Sequence, residues 1–285
     1  MKTLFVKHTL ARNVGLALAG GMVFMMAGML PHEAYAGISI TKHNLGSTGT
    51  GTNTFSGTAE ICVFCHTPHG ADTSASVPLW NRVLSSPSTY TTYNSLGTTT
   101  LDGAVAPVGS VSLACLSCHD GTQALNVMIN APGSGNYNPA GFALSGTWTG
   151  PAATATPVGS LNYATASIVN IGTDLRNDHP IGIQYGGGGE TVTTPTGTFN
   201  DPDFKPTNYA TINGSPVWWV DTAGGTSARE KTDMMLYTRT EATVAGGAQP
   251  FVECASCHDP HTSAQTTFLR VSNAGSGLCL SCHTK

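Results

Sequence analysis

The chain has 285 residues, with 12 basic and 16 acidic side chains and a formal net charge of −4. This mildly acidic balance argues against nucleic acid or an anionic membrane surface as a partner. Charged residues make up only 10% of the chain, against about 25% in an average globular domain. Because 34 glycines and 16 prolines also interrupt the sequence, we expect few long helices and a surface made largely of uncharged polar residues.

The first 36 residues have the pattern of a secretory signal peptide. A basic start that includes Arg12 is followed by an apolar run over 14–30 and by the small-x-small cleavage sequence Ala34–Tyr35–Ala36. A retained membrane anchor is the alternative interpretation of the apolar run. We predict that residues 1–36 are removed on export and that the mature chain, 37–285, contains no membrane span.

Four CXXCH motifs use every cysteine in the chain. The cysteines are Cys62, Cys65, Cys115, Cys118, Cys254, Cys257, Cys279 and Cys282, and the histidines that directly follow are His66, His119, His258 and His283. Two thiols three positions apart can each bond one vinyl group of a haem, and the next imidazole reaches the iron. Zinc sites and disulfides also use paired cysteines, but neither requires a histidine after each pair. The motifs therefore predict four covalently attached haem c groups.

The remaining histidines match the demand for second axial ligands. Beyond the motifs and the predicted signal peptide, the chain contains His43, His69, His179 and His261. Four irons need four such ligands, so this supply leaves none to spare. Met128, Met234 and Met235 are the competing ligands, and methionine ligation would raise the reduction potential. We predict that all four irons are bound by two histidines.

Two of these histidines follow their own motif too closely to serve it. His69 and His261 each lie three residues after a motif histidine, with a proline in between. Axial ligands approach an iron from opposite faces of the haem, and so short and stiff a link cannot pass around the ring edge. Each should therefore bind a different haem. We assign His69 to the motif that begins at Cys115 and His261 to the one that begins at Cys279.

The motifs form two pairs, which read as an internal repeat. One pair occupies 62–119 and the other 254–283. Each pair is headed by an isolated histidine, His43 in the first half and His179 in the second. We expect each pair to hold its two haems close together.

A long cysteine-free insertion, about 121–250, separates the pairs. It offers only weak signals, which indicate short strands over 166–171 and 190–199 and a loop at the glycine run 186–189. We predict a single tetrahaem domain over 37–285, made mostly of irregular coil with short helices and a few short strands organised around the haems.

Four runs carry a family resemblance: CVFCHTPHG over 62–70, NDHPIG over 177–182, VECASCHDPH over 252–261 and FLRVSNAGSGLCLSCH over 268–283. They resemble the doubled-CXXCH multihaem cytochromes of metal-reducing bacteria, and four haems in a chain of this length are similar to tetrahaem members that polymerise into extracellular filaments. The resemblance implies stacked haem pairs alternating with T-shaped contacts in a head-to-tail homopolymer.

The same resemblance implies partners and a location. Electrons would come from other multihaem cytochromes and pass to external metal or electrode-like acceptors, outside the cell or at its outer surface. One sixth ligand would be donated by a neighbouring subunit, and His43 is our candidate for that donation.

Three other functions are compatible with the motifs. A monomeric periplasmic electron shuttle would use the same haems. A reductase of nitrite or a similar small oxyanion would need an open iron position, which the histidine supply closes. A haem-based sensor would need an output module, and none is recognisable. Because no catalytic triad, phosphate-binding loop or carboxylate pair stands out, we expect an electron-transfer protein and not an enzyme.

Overall fold

Short elements joined by coil make up the fold, as the glycine and proline content predicts. The computed structural model describes residues 37–133, 135–164, 168–224 and 228–285. The α-helices in these ranges are α1 (Ser110–His119), α2 (Cys254–Cys257) and α3 (Cys279–Cys282), and each contains a pair of motif cysteines. Single 3-10 turns cover Gly37–Ile40, Cys62–Phe64, Pro87–Thr89, Tyr93–Leu96, Pro151–Thr154, Tyr185–Gly187, Thr266–Phe268 and Ala274–Ser276.

The strands of the described residues are short and pair only in antiparallel fashion. They are β1 (Thr54–Phe55), β2 (Val127–Asn130), β3 (Tyr137–Ala143), β4 (Trp148–Thr149), β5 (Ile183–Gln184), β6 (Asn208–Ile212), β7 (Ser215–Val220), β8 (Met234–Arg239) and β9 (Gln249–Val252). Strand β1 pairs with β4, β2 pairs with β3, and the other five form one sheet in the order β5-β9-β8-β7-β6. The predicted class, mostly coil with short helices and short strands, is confirmed.

The first part of the insertion packs against the first motif. Phe55 and Phe64, which flank the start of that motif, share an apolar core with Leu125, Met128 and Trp148 of the insertion. The rings of Phe55 and Trp148 lie 4.9 Å apart between centroids, because strands β1 and β4 place them opposite each other. Burial of such aromatic side chains fixes the first motif to the insertion.

The second part of the insertion packs against the last two motifs. Its five-stranded sheet buries Trp218 and Met234 in a second apolar core, and Cys257 and Cys282 pack against this core. The insertion is therefore divided between the two haem-binding halves and does not form a separate block.

The stretch 190–199, predicted as a strand, is a series of turns. The fully buried carboxylate of Glu190 accepts hydrogen bonds from the backbone N–H groups of Gly197 and Thr198 and from the hydroxyl of Thr207. A buried charge needs such partners. Because the chain folds around this side chain, those N–H groups are not available to a strand ladder, and the prediction was wrong.

Two other predictions for the insertion concern 166–171 and 186–189. Residues 166 and 167 lie outside the described residues, and 168–171 form turn and coil, so no strand is seen there. The glycine run does form the predicted loop. All four glycines have positive φ, from 56° to 104°, a backbone conformation that only glycine adopts readily.

Residues Gly37–Lys285 form one compact unit. None of the helices within the described ranges is long and apolar enough to cross a membrane. The signal peptide predicted for 1–36 lies outside the described residues and stays a prediction.

Asn81 links the first motif to β2, and its loss should be measurable. Its fully buried side chain donates to the carbonyls of Val63 (2.7 Å) and Asn130 (3.0 Å) and accepts from the Asn130 N–H (2.8 Å). Since each buried group left without a partner costs about 1–3 kcal/mol, N81A should lower the free energy of unfolding by about 2–4 kcal/mol. Denaturation followed by circular dichroism measures this. The exposed Asn94 is the control, and an equal loss in N94A would contradict the prediction.

Candidate haem-binding site

Each pair of motif cysteines lies on a single helical turn, where residues three apart share one face. In three motifs the N–H of the histidine donates to the carbonyl of the first cysteine, at 2.8 Å for His66, 3.2 Å for His258 and 2.9 Å for His283. His119 is the last residue of α1, whose helical bonding serves the same purpose. The turn therefore holds each imidazole directly beside two thiols.

Three motif imidazoles have their Nδ1 atom held by a backbone carbonyl. The acceptors, at 2.7–2.8 Å, are the carbonyls of Pro78, Val169 and Thr267 for His66, His119 and His258 respectively. A carbonyl oxygen can only accept, so Nδ1 carries the proton and Nε2 keeps a free lone pair. Metal-binding histidines have this arrangement. The donor set of the motifs therefore fits haem iron.

Two pairs of imidazoles face each other at the spacing expected of two ligands on one iron. The ring centroids of His66 and His261 are 6.2 Å apart with an interplanar angle of 18°, and those of His43 and His119 are 6.1 Å apart at 67°. Imidazole nitrogens coordinate metals at about 2 Å, and the ring centroid lies roughly 1 Å beyond the nitrogen. Opposed ligands therefore have centroids about 6 Å apart, as observed for both pairs.

Electrostatics keep the second of these pairs neutral. Burial, helped by the neighbouring His119, lowers the pKa of His43 to about 4. Burial also lowers the pKa of His119, although its hydrogen bond to Val169 opposes this effect. Only the neutral imidazole offers a lone pair to a metal. Both rings are therefore in the protonation state that iron ligation requires.

The electrostatic neighbour of His179 is the histidine of the fourth motif. Burial is the largest cause that lowers the pKa of His179, and the nearby His283 contributes to the same shift. The Nδ1 of His179 is held by the carbonyl of Pro180 at 3.0 Å, so the proline turn presents the other ring nitrogen. His179 therefore lies near the fourth motif.

The four attachment sites follow one another in space in the order of the sequence. Cys65 of the first motif and Cys118 of the second pack against the same apolar core. Ser112, in the helix of the second motif, accepts a hydrogen bond from the N–H of Cys254 in the third. Cys257 of the third motif and Cys282 of the fourth pack against the second apolar core. The motifs thus form a continuous row through the molecule.

A buried polar network fixes the middle of this row. The hydroxyl of Ser112, in α1, donates to the carboxylate of Glu253 and accepts from the N–H of Cys254 at 2.9 Å. Arg239 forms an ion pair with Glu253 at 2.8 Å. Because Glu253 also caps α2, the network joins the second motif directly to the third.

The structure corrects our assignment of His261. This histidine does lie against a motif other than its own, as the short proline link required, but it faces His66 in the first motif and not the motif that begins at Cys279. His69 does not face His119 either, because His43 occupies that position. The nearest motif in sequence was not the nearest in space.

His43, which we predicted to be donated to a neighbouring subunit, has partners within its own chain. It is stacked on Phe268 at 4.4 Å, hydrogen-bonded to the backbone of Pro260 and close to His119. These contacts favour a role within one chain, and donation to a second subunit stays a prediction.

His69 and His258 are left without a facing imidazole in the described part of the chain. Both residues are exposed. The His69 carbonyl accepts a hydrogen bond from the Thr67 hydroxyl at 3.1 Å, whereas its imidazole has no ring contact, ion pair or hydrogen bond with any described residue. His258 has its Nδ1 fixed and has no ring contact with another imidazole of the described residues. One chain therefore brings two pairs of imidazoles face to face, His66 with His261 and His43 with His119.

The structure gives no support to the zinc and disulfide alternatives. All eight cysteines are free, and the described residues contain no cluster of three or more potential metal ligands.

Sequence reasoning missed two aromatic residues that support the histidines. Phe268 stacks on His43 with an interplanar angle of 4°, and Trp80 packs edge-to-face on His66 at 5.9 Å. Neither lies at a distinctive spacing from a motif, so no signal in the sequence marks them.

Comparison with known proteins bears on the last two motifs. Residues 244–285 match a family described as doubled CXXCH motif, and this segment contains the third and fourth motifs. No curated protein matches the chain. The matched motifs indicate covalently bound c-type haem and a role in electron transfer. The match covers the third and fourth motifs, where it agrees with the haem attachment that the CXXCH spacing predicts.

Proposed function

We propose that this chain is a tetrahaem c-type cytochrome that transfers electrons over long distances and has no substrate site. The observation that supports the proposal is the row of motifs, in which Cys65 and Cys118 pack against one apolar core, Ser112 joins the second motif to the third, and Cys257 and Cys282 pack against the other core. Since each haem is tethered by its motif, neighbouring motifs imply neighbouring haems. Electrons would enter at one end of the row and leave at the other.

The residues of the chain supply what such a row needs. When bound, each haem takes up and releases one electron as its iron changes oxidation state. Backbone carbonyls fix the motif imidazoles so that Nε2 is presented without rearrangement. The two apolar cores pack against Cys65, Cys118, Cys257 and Cys282 and exclude water from that side of each site. Rigid ligands and low water access reduce the reorganisation that accompanies electron transfer.

We further propose that subunits assemble head to tail into an extracellular filament and that His69 of one subunit completes the site of His258 in the next. This proposal replaces His43 as the donated ligand. It is supported by elimination, because His69 and His258 are both exposed and both lack a facing imidazole among the described residues. A contact between two different surface patches generates an open polymer when its rotation does not close a ring, and an open polymer is what we propose here.

A reductase of a small oxyanion is the second candidate, and the exposed His258 is the observation that favours it. If no second chain completes this site, the iron there would keep an open position that a small molecule could occupy. A monomeric periplasmic shuttle would share this open position unless another ligand filled it. Spectra of the wild type separate these functions, since a wholly six-coordinate, low-spin protein leaves no position for a substrate.

The haem count and ligand pairs can be tested together. Mass spectrometry of the wild type should give four haems, and replacing both cysteines of any one motif by alanine should remove one. In H261M, methionine should face His66, and one of the four reduction potentials should rise because methionine ligation favours the reduced iron. Spectroelectrochemical titration measures this. Unchanged potentials in H261M with four haems bound would contradict the pairing of His66 with His261.

A further inference from the structure

Arg82 is a buried cation that lies beside the first two haem-attachment motifs. Its side chain is fully buried. Nη1 donates to the carbonyls of Leu125 and Val127, both at 2.9 Å, and Nη2 to those of Ser117 (3.0 Å) and Ala124 (3.1 Å). Its Nε is buried without a partner. Four carbonyls thus hold the guanidinium in one position.

No carboxylate neutralises this charge within the described residues. The ion pairs found there involve Arg176, Arg239, His261 and Lys285, and none includes Arg82. A guanidinium cannot lose its proton in a protein, so Arg82 keeps a full positive charge. Burying an uncompensated charge is costly, and four carbonyl dipoles offset the cost only in part.

The position of Arg82 relates it to both haem sites of the first half. Its acceptor Ser117 lies between the two cysteines of the second motif. The preceding residue, Asn81, donates its N–H to the carbonyl of Cys65 at 2.9 Å. The charge therefore acts where the first and second sites meet.

The second half of the chain has a comparable arginine in a different environment. The backbone N–H of Arg270 donates to the carbonyl of Cys257 at 2.8 Å, and its side-chain Nε donates to the carbonyl of Ala255 at 3.1 Å. Arg270 is only partly buried, so solvent screens its charge. The two arginines therefore differ mainly in how strongly solvent screens their charge.

We propose that Arg82 is a fixed positive charge that raises the reduction potentials of the first-half haems above the values their histidine ligands alone would set. Reduction adds one electron to a site, and a nearby cation stabilises the reduced form. In a buried, weakly polarisable environment this attraction is much stronger than at a surface. The consequence is a difference in potential between the two ends of the row. This inference rests on the proposed function, since it requires haem at the first two motifs.

The experiment uses the full-length protein with its haems attached. R82M and R82Q remove the charge, and R82Q keeps donors for two of the carbonyls in case R82M does not fold. Haem content is measured first by mass spectrometry. Spectroelectrochemical titration should then show one or two of the four potentials shifted downwards in both variants. The reduction potential that belongs to the haem of the first motif is identified independently, because it should be the one that rises in H261M.

Two controls separate charge from packing. R82K keeps a positive charge but loses hydrogen bonds, and its potentials should stay close to those of the wild type. R270M should give a smaller downward shift, and in a different wave. Neutral variants that bind four haems with unchanged potentials would overturn the inference, as would R82K if it lowered the potentials as much as R82M does. Fewer than four haems in the wild type would instead contradict the proposed function.

Discussion

Replacing His69 with alanine should abolish filaments and leave one haem in four without a sixth ligand. His69 is exposed and its imidazole contacts no described residue, so its removal should not disturb the fold of one chain. Its loss should nevertheless uncover the iron bound by His258 in the neighbouring subunit. Negative-stain electron microscopy should show dispersed subunits, and the resting spectrum should show about a quarter of the haem as five-coordinate and high-spin.

Two further experiments test whether His69 acts as a ligand donated between subunits. Free imidazole should restore the low-spin spectrum of H69A without restoring filaments, because it replaces the ligand but not the link between subunits. H43A should give one high-spin haem as well, but should keep its filaments, because His43 faces His119 of its own chain. If H69A polymerised normally while H43A did not, the donated ligand would be His43 after all.

Replacing Arg239 with methionine should cause the largest loss of stability. Arg239 is paired with Glu253 at 2.8 Å, and the Glu253 side chain is fully buried. Removing one partner of a buried ion pair leaves an uncompensated charge and costs about 3–5 kcal/mol. Because this network joins the second motif to the third, we expect R239M to lower the midpoint of guanidinium denaturation as followed by haem absorbance.

The loss in R239M should depend on pH in a defined direction. Burial raises the pKa of Glu253 above its ordinary value of 4.5 despite hydrogen bonds from Ser112 and Arg239. The folded protein therefore binds this proton more tightly than the unfolded chain, and stability falls as pH rises from 4.5 through the raised pKa. Without Arg239 this loss of stability with rising pH should be larger. The free energy of unfolding of R239M should therefore be much closer to that of the wild type at pH 4 than at pH 7.

E241Q is the control for R239M. Glu241 also pairs with Arg239, at 2.6 Å, but its side chain is partly exposed, and such a pair contributes less than about 1 kcal/mol. Two results would contradict the prediction: a loss of stability in E241Q as large as that in R239M, or a loss in R239M that is the same at pH 4 and pH 7. Either would show that the stabilising effect of Arg239 does not come from neutralising Glu253.

The attachment chemistry could be predicted from sequence because it is local. The spacing of Cys62, Cys65 and His66 places two thiols and an imidazole on one turn whatever the rest of the chain does. The short proline link after a motif likewise showed that His69 and His261 cannot bind the haem attached to the motif that each follows. Which other ring it reaches is a property of the whole fold, and there proximity in sequence misled us.

The burial of single charged residues could not be predicted. Arg82 lies among apolar residues and Glu190 follows four glycines, and neither neighbourhood predicts that a charged side chain will be fully buried. Each is buried because several backbone groups converge on it, and convergence of this kind leaves no periodic pattern. The central strands of the insertion were missed for another reason, because runs such as 217–220 and 249–252 are short and buried without an alternation of apolar and polar residues.

The internal repeat suggested that each half of the chain supplies all the histidines for its own haem sites. In the structure, histidines of each half instead contact residues of the other half. His261 of the second half faces His66 of the first. His43 of the first half is held by Phe268 and Pro260 of the second. Neither half therefore contains its full set of ligands, so a chain truncated inside the insertion should not fold as a haem-binding unit.

The pairing of His66 with His261 has a consequence for biogenesis. Ribosomes make a chain from its N-terminus, so the first imidazole emerges long before its counterpart exists. Contacts between such distant residues also form slowly. The earliest cofactor to be attached would thus be among the last to acquire both ligands, and the nascent protein would pass through a stage in which that iron is open to small molecules and to oxidants.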